Sequence, residues 1–274
     1  MTMPVIRCFP ADVETVAQVW RRETFTSLTW SSAGNPGEAG GQAQGYFVKC
    51  GELTGFAKPS KQPNEPADAP PRTVHEKIAS DLAFDLRLPI PPVVLWRRQV
   101  PTPDQETLCA VSLVPFHPAH KWQHVEAIPS TRDRIAAAMG SAASAMSVFD
   151  TWLDNRDHHN GGNLLVTEDL TTGNVHWAYI DYAYSITYGW GGGAAPAVAA
   201  VVGRYPVQAG ADLGAVTGAL EAIETMQEDT IRSVVTRLSP DFLDAGRAAI
   251  IADGLLRRRT GLREILRREY GGGL

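Results

Sequence analysis

The apolar positions of this chain change rhythm near residue 116. Before it, short runs rich in β-branched and aromatic residues dominate: "TFTSLTW" (24–30), "YFVKC" (46–50), "LTGFAKP" (53–59), "VVLWRRQ" (93–99) and "TLCAVSLVP" (107–115). Runs of this kind bounded by turn residues predict strands. Two segments keep a helical period instead. Val13, Val16 and Val19 predict a short helix over 11–22. Val74, Ile78, Leu82 and Leu86 recur every four residues and predict a helix from Thr73 that "PIPP" (89–92) stops. Between these elements, "SSAGNPGEAGGQAQG" (31–45) and "SKQPNEPADAPP" (60–71) read as loops.

Beyond residue 116 the helical period takes over. Ile135, Met139, Ala142, Met146, Phe149 and Leu153 form one apolar face of a helix over 131–153. Further helices are predicted at 211–226, 228–238, 241–256 and 260–269, after a "GWGGG" breaker (189–193). One strand pair, "NLLVTE" (163–168) and "VHWAYID" (175–181), interrupts them. The pattern predicts an α+β chain in two lobes: a small β-rich lobe over 1–115 and a larger, mainly helical lobe over 116–274. No internal repeat is visible.

Composition narrows the function classes. An apolar share of 44% and a charged share of 20% over 274 residues are ordinary for a globular protein. A net charge of -5 gives no general pull toward nucleic acid or an anionic membrane, so neither is an expected partner. No run reaches the roughly 18 apolar residues of a membrane span. The start of the chain lacks the basic and apolar regions of a secretion signal. Cys8, Cys50 and Cys109 are widely spaced and odd in number, which fits reduced thiols and a cytoplasmic location.

Candidate chemistry gathers where the long helix ends. "FDTWLDNRDHHNGGNLLV" (149–166) crowds Asp154, Asp157, His158, His159, Asn160 and Asn163 between two apolar runs, and Asp181 closes the next strand. Two aspartates and an asparagine supply hard oxygen ligands and no sulfur, a set that suits Mg²⁺. It also suits phosphoryl transfer, in which one aspartate orients a hydroxyl while an asparagine and a second aspartate hold metal on a nucleotide. Such chemistry requires a lysine for the phosphates, steadied by a carboxylate. "GFAKP" offers Lys58 on a strand, and "VHEKIASDL" offers Glu76 on the helix behind it. Lys49, one strand earlier, is a rival lysine, and a glutamate on a helix is more often solvated than paired.

Zinc is a weaker reading of His158, His159 and His176, because no H-E-x-x-H helix or cysteine pair accompanies them. One of the two adjacent histidines is instead expected to brace Asp157 or Asp181 through a ring nitrogen. A serine hydrolase lacks its G-x-S-x-G elbow. The glycine-rich loop contains neither common phosphate-binding motif. Arg257, Arg258, Arg259, Arg263, Arg267 and Arg268 read as a solvated helix face, or else as a dock for an acidic partner.

The order of lysine strand, glutamate helix, "NRDHHNGGNLLV" and "YIDY" resembles the HipA-like kinases, whose catalytic loop is similar to that of the phosphatidylinositol 3- and 4-kinases. "LRLPIPPVVL" and "LSPDFLDAGRAAIIADGLLRRR" are similar to further family segments, so the likeness spans roughly residues 40 to 260. The resemblance implies a protein-kinase-like fold that binds ATP with Mg²⁺ between its lobes. It makes Asp157 the catalytic aspartate, Asn163 and Asp181 the metal ligands, and Lys58, with Glu76, the phosphate lysine. It places adenine against the backbone of "LCAVSLVPF", at Val111 and Leu113. The implied acceptor is a hydroxyl, on a protein serine or threonine or on a small molecule, and a toxin–antitoxin type of partner belongs to the same expectation. The chain departs from the family in one place: six residues rather than five separate Asp157 from Asn163. Gly161-Gly162 as a bulge, Asn160 as the ligand, or a nucleotide-binding pseudokinase without turnover each accommodate that change.

Overall fold

The computed structural model describes residues 9, 11–23, 28–33, 45–60, 72–98, 108–155, 157–158, 161–169, 171–186, 211–271 and 274. The glycine-rich stretch 34–44, the proline-rich loop, the "GWGGG" breaker, His159 and Asn160 lie outside the described residues.

The first lobe opens with α1 (Ala11–Trp20), followed by β1 (Ser31–Ser32), β2 (Tyr46–Cys50), β3 (Leu53–Pro59), α2 (Arg72–Asp85), β4 (Val93–Arg97) and β5 (Leu108–Leu113). Its strands form one antiparallel sheet in the order β1-β2-β3-β5-β4. The period-two alternation assigns each strand residue to one of two cores. Val48, Ala57, Val94, Cys109 and Val111 pack with Val13 and Trp20 of α1. Leu95, Leu108, Ala110 and Val93 pack with Val74, Ile78, Leu82 and Ala83 of α2. Lys58 pairs with Ala110, and Ala110 with Leu95, so the lysine belongs to the α2 face. Close approach explains one glycine: a Cβ on Gly55 would stand 2.4 Å from Cγ1 of Val111. The turn from β2 to β3 needs another, Gly51, whose φ is +58°.

The second lobe holds β6 (His120–Lys121), α3 (Trp122–Val125), α4 (Pro129–Leu153), a 3₁₀ turn (Gly161–Asn163), β7 (Leu164–Glu168), β8 (Val175–Tyr179), α5 (Leu213–Thr225), α6 (Glu228–Thr236) and α7 (Ala245–Tyr270). Strands β6, β7 and β8 form a small antiparallel sheet. All six residues of the α4 stripe predicted from spacing are buried. The architecture is α+β and bilobal, with the sheet lobe first and the helical lobe second.

Three expectations change. The described part of "TFTSLTW" is not a strand; the short edge strand falls at Ser31–Ser32, and Trp30 enters the core as an isolated anchor against Trp20 at 5.9 Å. The helices expected at 241–256 and 260–269 are one continuous helix, because Thr260 and Gly261 weaken a helix without terminating it. The arginine run of that helix is not simply solvated. Arg258 is buried and donates through Nε to the Thr151 carbonyl at 2.6 Å, while Arg263 donates to Glu224 on α5 at 3.0 Å. Among the described residues, no helix is long and apolar enough to cross a membrane.

Phe149 carries much of the junction beneath the polar cluster. Its ring is fully buried, 6.1 Å from Trp152 and 5.9 Å from Tyr182. Phe149→Ala therefore opens a cavity and is expected to lower stability by about 3–5 kcal/mol. Urea denaturation checks this; an unchanged midpoint would contradict the packing.

Candidate active site

The site centres on a partly buried ammonium group. Lys58 Nζ lies 2.6 Å from Oε1 of Glu76 on α2 and 2.9 Å from Oδ1 of Asp181, two residues beyond β8. Glu76 uses its second oxygen to accept from the Tyr182 backbone N–H at 3.1 Å. Strand, helix and strand end are thus joined through one cation. Lys49 is exposed on the neighbouring strand, so Lys58 is the lysine brought to the two carboxylates. Glu76, for which a solvated position is the rival reading, is only 5% exposed.

The three groups shift one another in different directions. Burial works against the charge of Lys58, but the two carboxylates outweigh it and its pKa is raised. Burial likewise pushes Asp181 up, yet Lys58 prevails and holds it below its ordinary value. Glu76 ends raised, because burial and the nearby Asp181 together exceed the pull of Lys58. Two carboxylates sharing one cation separate in this way, since like charges disfavour each other.

The second half of the site is built by the turn after α4. Asp154 ends that helix in the left-handed conformation, φ 53°, ψ 37°. Asn155 then accepts the Asp157 backbone N–H at 3.1 Å. Asn163 donates from Nδ2 to Oδ2 of Asp157 at 2.9 Å. Because a carboxylate only accepts, this contact assigns the amide nitrogen and leaves Oδ1 of Asn163 as the atom for a cation. Asn163 and Asp181 are neighbours through the sheet: Leu164 pairs with Tyr179, and the Ile180 N–H donates to the Asn163 carbonyl at 2.9 Å. Asp181 itself has φ 74°, a conformation uncommon for a residue with a side chain and frequent at functional positions.

Val111 does not offer its backbone to a ligand. It sits in a central strand, opposite Ala57 on one side and Val94 on the other, so its polar groups belong to the sheet. The Leu113 N–H donates to the Pro92 carbonyl and the Val114 N–H to the Thr54 carbonyl. The N–H groups of Leu113 and Val114 are thus both used within the sheet lobe. A cavity of about 690 Å³ opens beside Leu113 and the 114–118 segment, walled on its far side by α1, and neither Lys58 nor Asp181 lines it.

The ring nitrogens of His158 meet groups other than the Asp157 and Asp181 carboxylates. The ring lies 2.7 Å from Asp150 and 2.8 Å from the Ile180 carbonyl. Asp150 carries no signal in the sequence because it sits within the apolar run "SVFDTWL". His176 stands on β8 against the Phe116 ring. Among the described residues, no group of three or more His, Cys, Asp and Glu side chains is arranged to hold a metal ion. Asn163 and Asp181 offer oxygen atoms of the kind a hard cation takes, and such a cation commonly completes its shell with water and phosphates.

No protein-family model matches the chain, and no curated protein matches it. Solved structures do. One, the crystal structure of a Helicobacter pylori proinflammatory kinase, CtkA, is 13% identical in sequence with a TM-score of 0.61, covering 89% of this chain and 96% of that one. The fold is therefore kinase-like.

Replacing Lys58 tests the central array. Lys58→Met leaves two carboxylates without their cation and is expected to cost about 3 kcal/mol at neutral pH. Lys58 lowers the pKa of both carboxyls, so its loss raises them, and a carboxyl whose folded pKa lies above its unfolded value loses stability as pH rises through the folded one. The deficit of Lys58→Met should accordingly shrink on going from pH 8 to pH 5. Urea titrations at both values check it; an equal deficit at each would contradict the array.

Proposed function

We propose that the chain is an ATP- and Mg²⁺-dependent phosphotransferase acting on a hydroxyl, with protein serine or threonine as the first acceptor class. One observation carries the reading: a lysine of the sheet lobe is held between a helix carboxylate and the strand-end carboxylate of the helical lobe. The kinase-like fold supports it, and the donor set fits a nucleotide with a hard cation.

In this reading ATP supplies the γ-phosphoryl group, and Mg²⁺ neutralises charge on its phosphates. Lys58, steadied by Glu76, meets the phosphates. Asn163 through Oδ1 and Asp181 through its carboxylate hold the cation. The backbone beyond Val114, in the 115–118 segment, takes the adenine edge. Asp157 orients the acceptor hydroxyl and accepts its proton as the acceptor oxygen bonds to phosphorus and the bridging oxygen leaves with ADP. The Asn163 amide on Oδ2 of Asp157 leaves Oδ1 to face the acceptor. The same contact supports a competent loop over a pseudokinase, since it forms despite the six-residue spacing.

The melting temperature with ATP, with and without Mg²⁺, tests the reading directly. A ligand at a hundred times its Kd stabilises the native state by about 2.7 kcal/mol. A Mg²⁺-dependent rise that Asp181→Ala abolishes is expected; no rise at millimolar ATP would overturn the proposal. Asp157→Ala should keep the rise yet lower turnover by roughly 10²–10⁴. Product analysis with peptide and small-molecule hydroxyl acceptors then decides the acceptor class, and unchanged turnover would remove Asp157 from its role.

A further inference from the structure

His158 follows Asp157 directly, yet its side chain turns inward and is used elsewhere. The residue is 3% exposed, and both ring nitrogens meet acceptors. Nδ1 is 2.7 Å from Oδ2 of Asp150 on the last turn of α4, and Nε2 is 2.8 Å from the carbonyl oxygen of Ile180. A neutral imidazole has one donor nitrogen and one acceptor nitrogen. Placed here, it would set a lone pair against an oxygen on one side. A ring with a proton on each nitrogen satisfies both contacts. The surrounding groups are consistent with that state: Asp150 from α4, Asp181 beyond β8, and the rings of Tyr182 and Tyr179 at 4.7 and 5.8 Å. Burial disfavours the charged ring, but the Asp150 carboxylate outweighs it and the His158 pKa is raised.

The two ends of this strut matter for the chemistry. At one end is the residue next to Asp157. At the other is the Ile180 carbonyl, which lies in the same planar peptide as the Asp181 nitrogen. Fixing that oxygen fixes the plane from which the chain enters Asp181 in its left-handed conformation, φ 74°. We infer that His158 is a positioning residue: by donating from both ring nitrogens, it locks the Ile180–Asp181 peptide against the loop of Asp157 and so aims the Asp181 carboxylate. Its consequence for turnover rests on the phosphotransferase reading; the bridge itself does not.

Two measurements on the full chain test this. In ¹⁵N NMR at pH 8, the histidine signal lost in His158→Gln should show protons on both ring nitrogens. One unprotonated nitrogen would overturn the bridge, whether or not the chain binds ATP. Next, the Mg²⁺ dependence of nucleotide binding is compared between wild type and His158→Gln. Groups that orient metal ligands commonly change metal affinity by about 10–100-fold, and a shift of at least about tenfold in half-saturating Mg²⁺ is expected. Mg²⁺-free nucleotide binding, which uses Lys58, should change little. A purely structural role would lower the melting temperature and leave the Mg²⁺ dependence of the folded protein in place; that result overturns the positioning role. If His158→Gln does not fold, His158→Asn, with an amide that can still reach toward Asp150, carries the same comparison. Absence of Mg²⁺-dependent binding in the wild type would instead defeat the phosphotransferase reading, with the NMR result still deciding the bridge.

Discussion

A lysine ammonium that leaves water must find negative charge, and in this chain it finds two carboxylates from different lobes. Everything around Lys58 is arranged to keep that array intact. Glu76 is delivered by α2, and the first turns of α2 are fastened to the segment that carries Asp181. Besides the Glu76 contact with Tyr182, His75 lies 3.1 Å from the Ala183 carbonyl, and Arg72 stacks on Tyr184 and donates to its hydroxyl at 2.6 Å. The Tyr179 N–H donates to the Pro89 carbonyl just past the helix. The helix, the lysine strand and the strand end therefore form one mechanical unit spanning the two lobes. A displacement of α2 would have to break the ion pair and these hydrogen bonds together.

The same constraint explains why α2 is buried on nearly every side. Eleven of its residues are buried, including Lys77 and Asp81 on the flank away from the site. Lys77 donates to Asp81 at 2.8 Å and to the Trp20 carbonyl at 2.6 Å, and Arg237 of the helical lobe completes the group. Such buried ion pairs add little net stability, because desolvation offsets most of their attraction. Their directional bonds do fix the rotation of the helix about its axis. A wholly apolar helix of this length could slide or turn; one pinned by Glu76 on one side and Asp81 on the other presents Glu76 to Lys58 in a single register.

Much of this was legible beforehand because it follows from local periodicity. Strands β2 to β5 of the first sheet, the β7–β8 pair, and the stripes of α2 and α4 all announce themselves by spacing, whereas the two-residue edge strand β1 does not. Features that depend on distant partners do not. Glu76 could be named as the partner of Lys58 but not separated from an ordinary solvated helical glutamate, and the tertiary burial of α2 decides between them. Trp30 is an anchor whose partner, Trp20, is set by packing rather than by strand pairing. Strand β6 is two residues long, below any periodic signal. The role of Asp150 was hidden inside an apolar run, and its partner His158 reads in sequence like one more polar loop residue. Val111 reads in sequence as adenine-facing backbone because its strand runs toward the second lobe; the order β3-β5-β4, which puts a strand on each side of it, is a long-range pairing that spacing does not show.

The loop spacing shows the difference between counting residues and placing atoms. Six residues separate Asp157 from Asn163, yet their side chains touch at 2.9 Å. The 3₁₀ turn at Gly161–Asn163 tightens the chain just before β7. Gly161 approaches Trp122 so closely that a Cβ would stand 3.2 Å from the indole, which pins the turn against α3. Downstream, the Asn163 carbonyl is captured by the Ile180 N–H, so strand pairing dictates where Asn163 can be. With the far end fixed by the sheet and the near end fixed by the α4 cap at Asp154, an extra residue must be taken up between them. Constraints on the two ends, rather than the length of the loop, therefore determine whether Asp157 and Asn163 can act together.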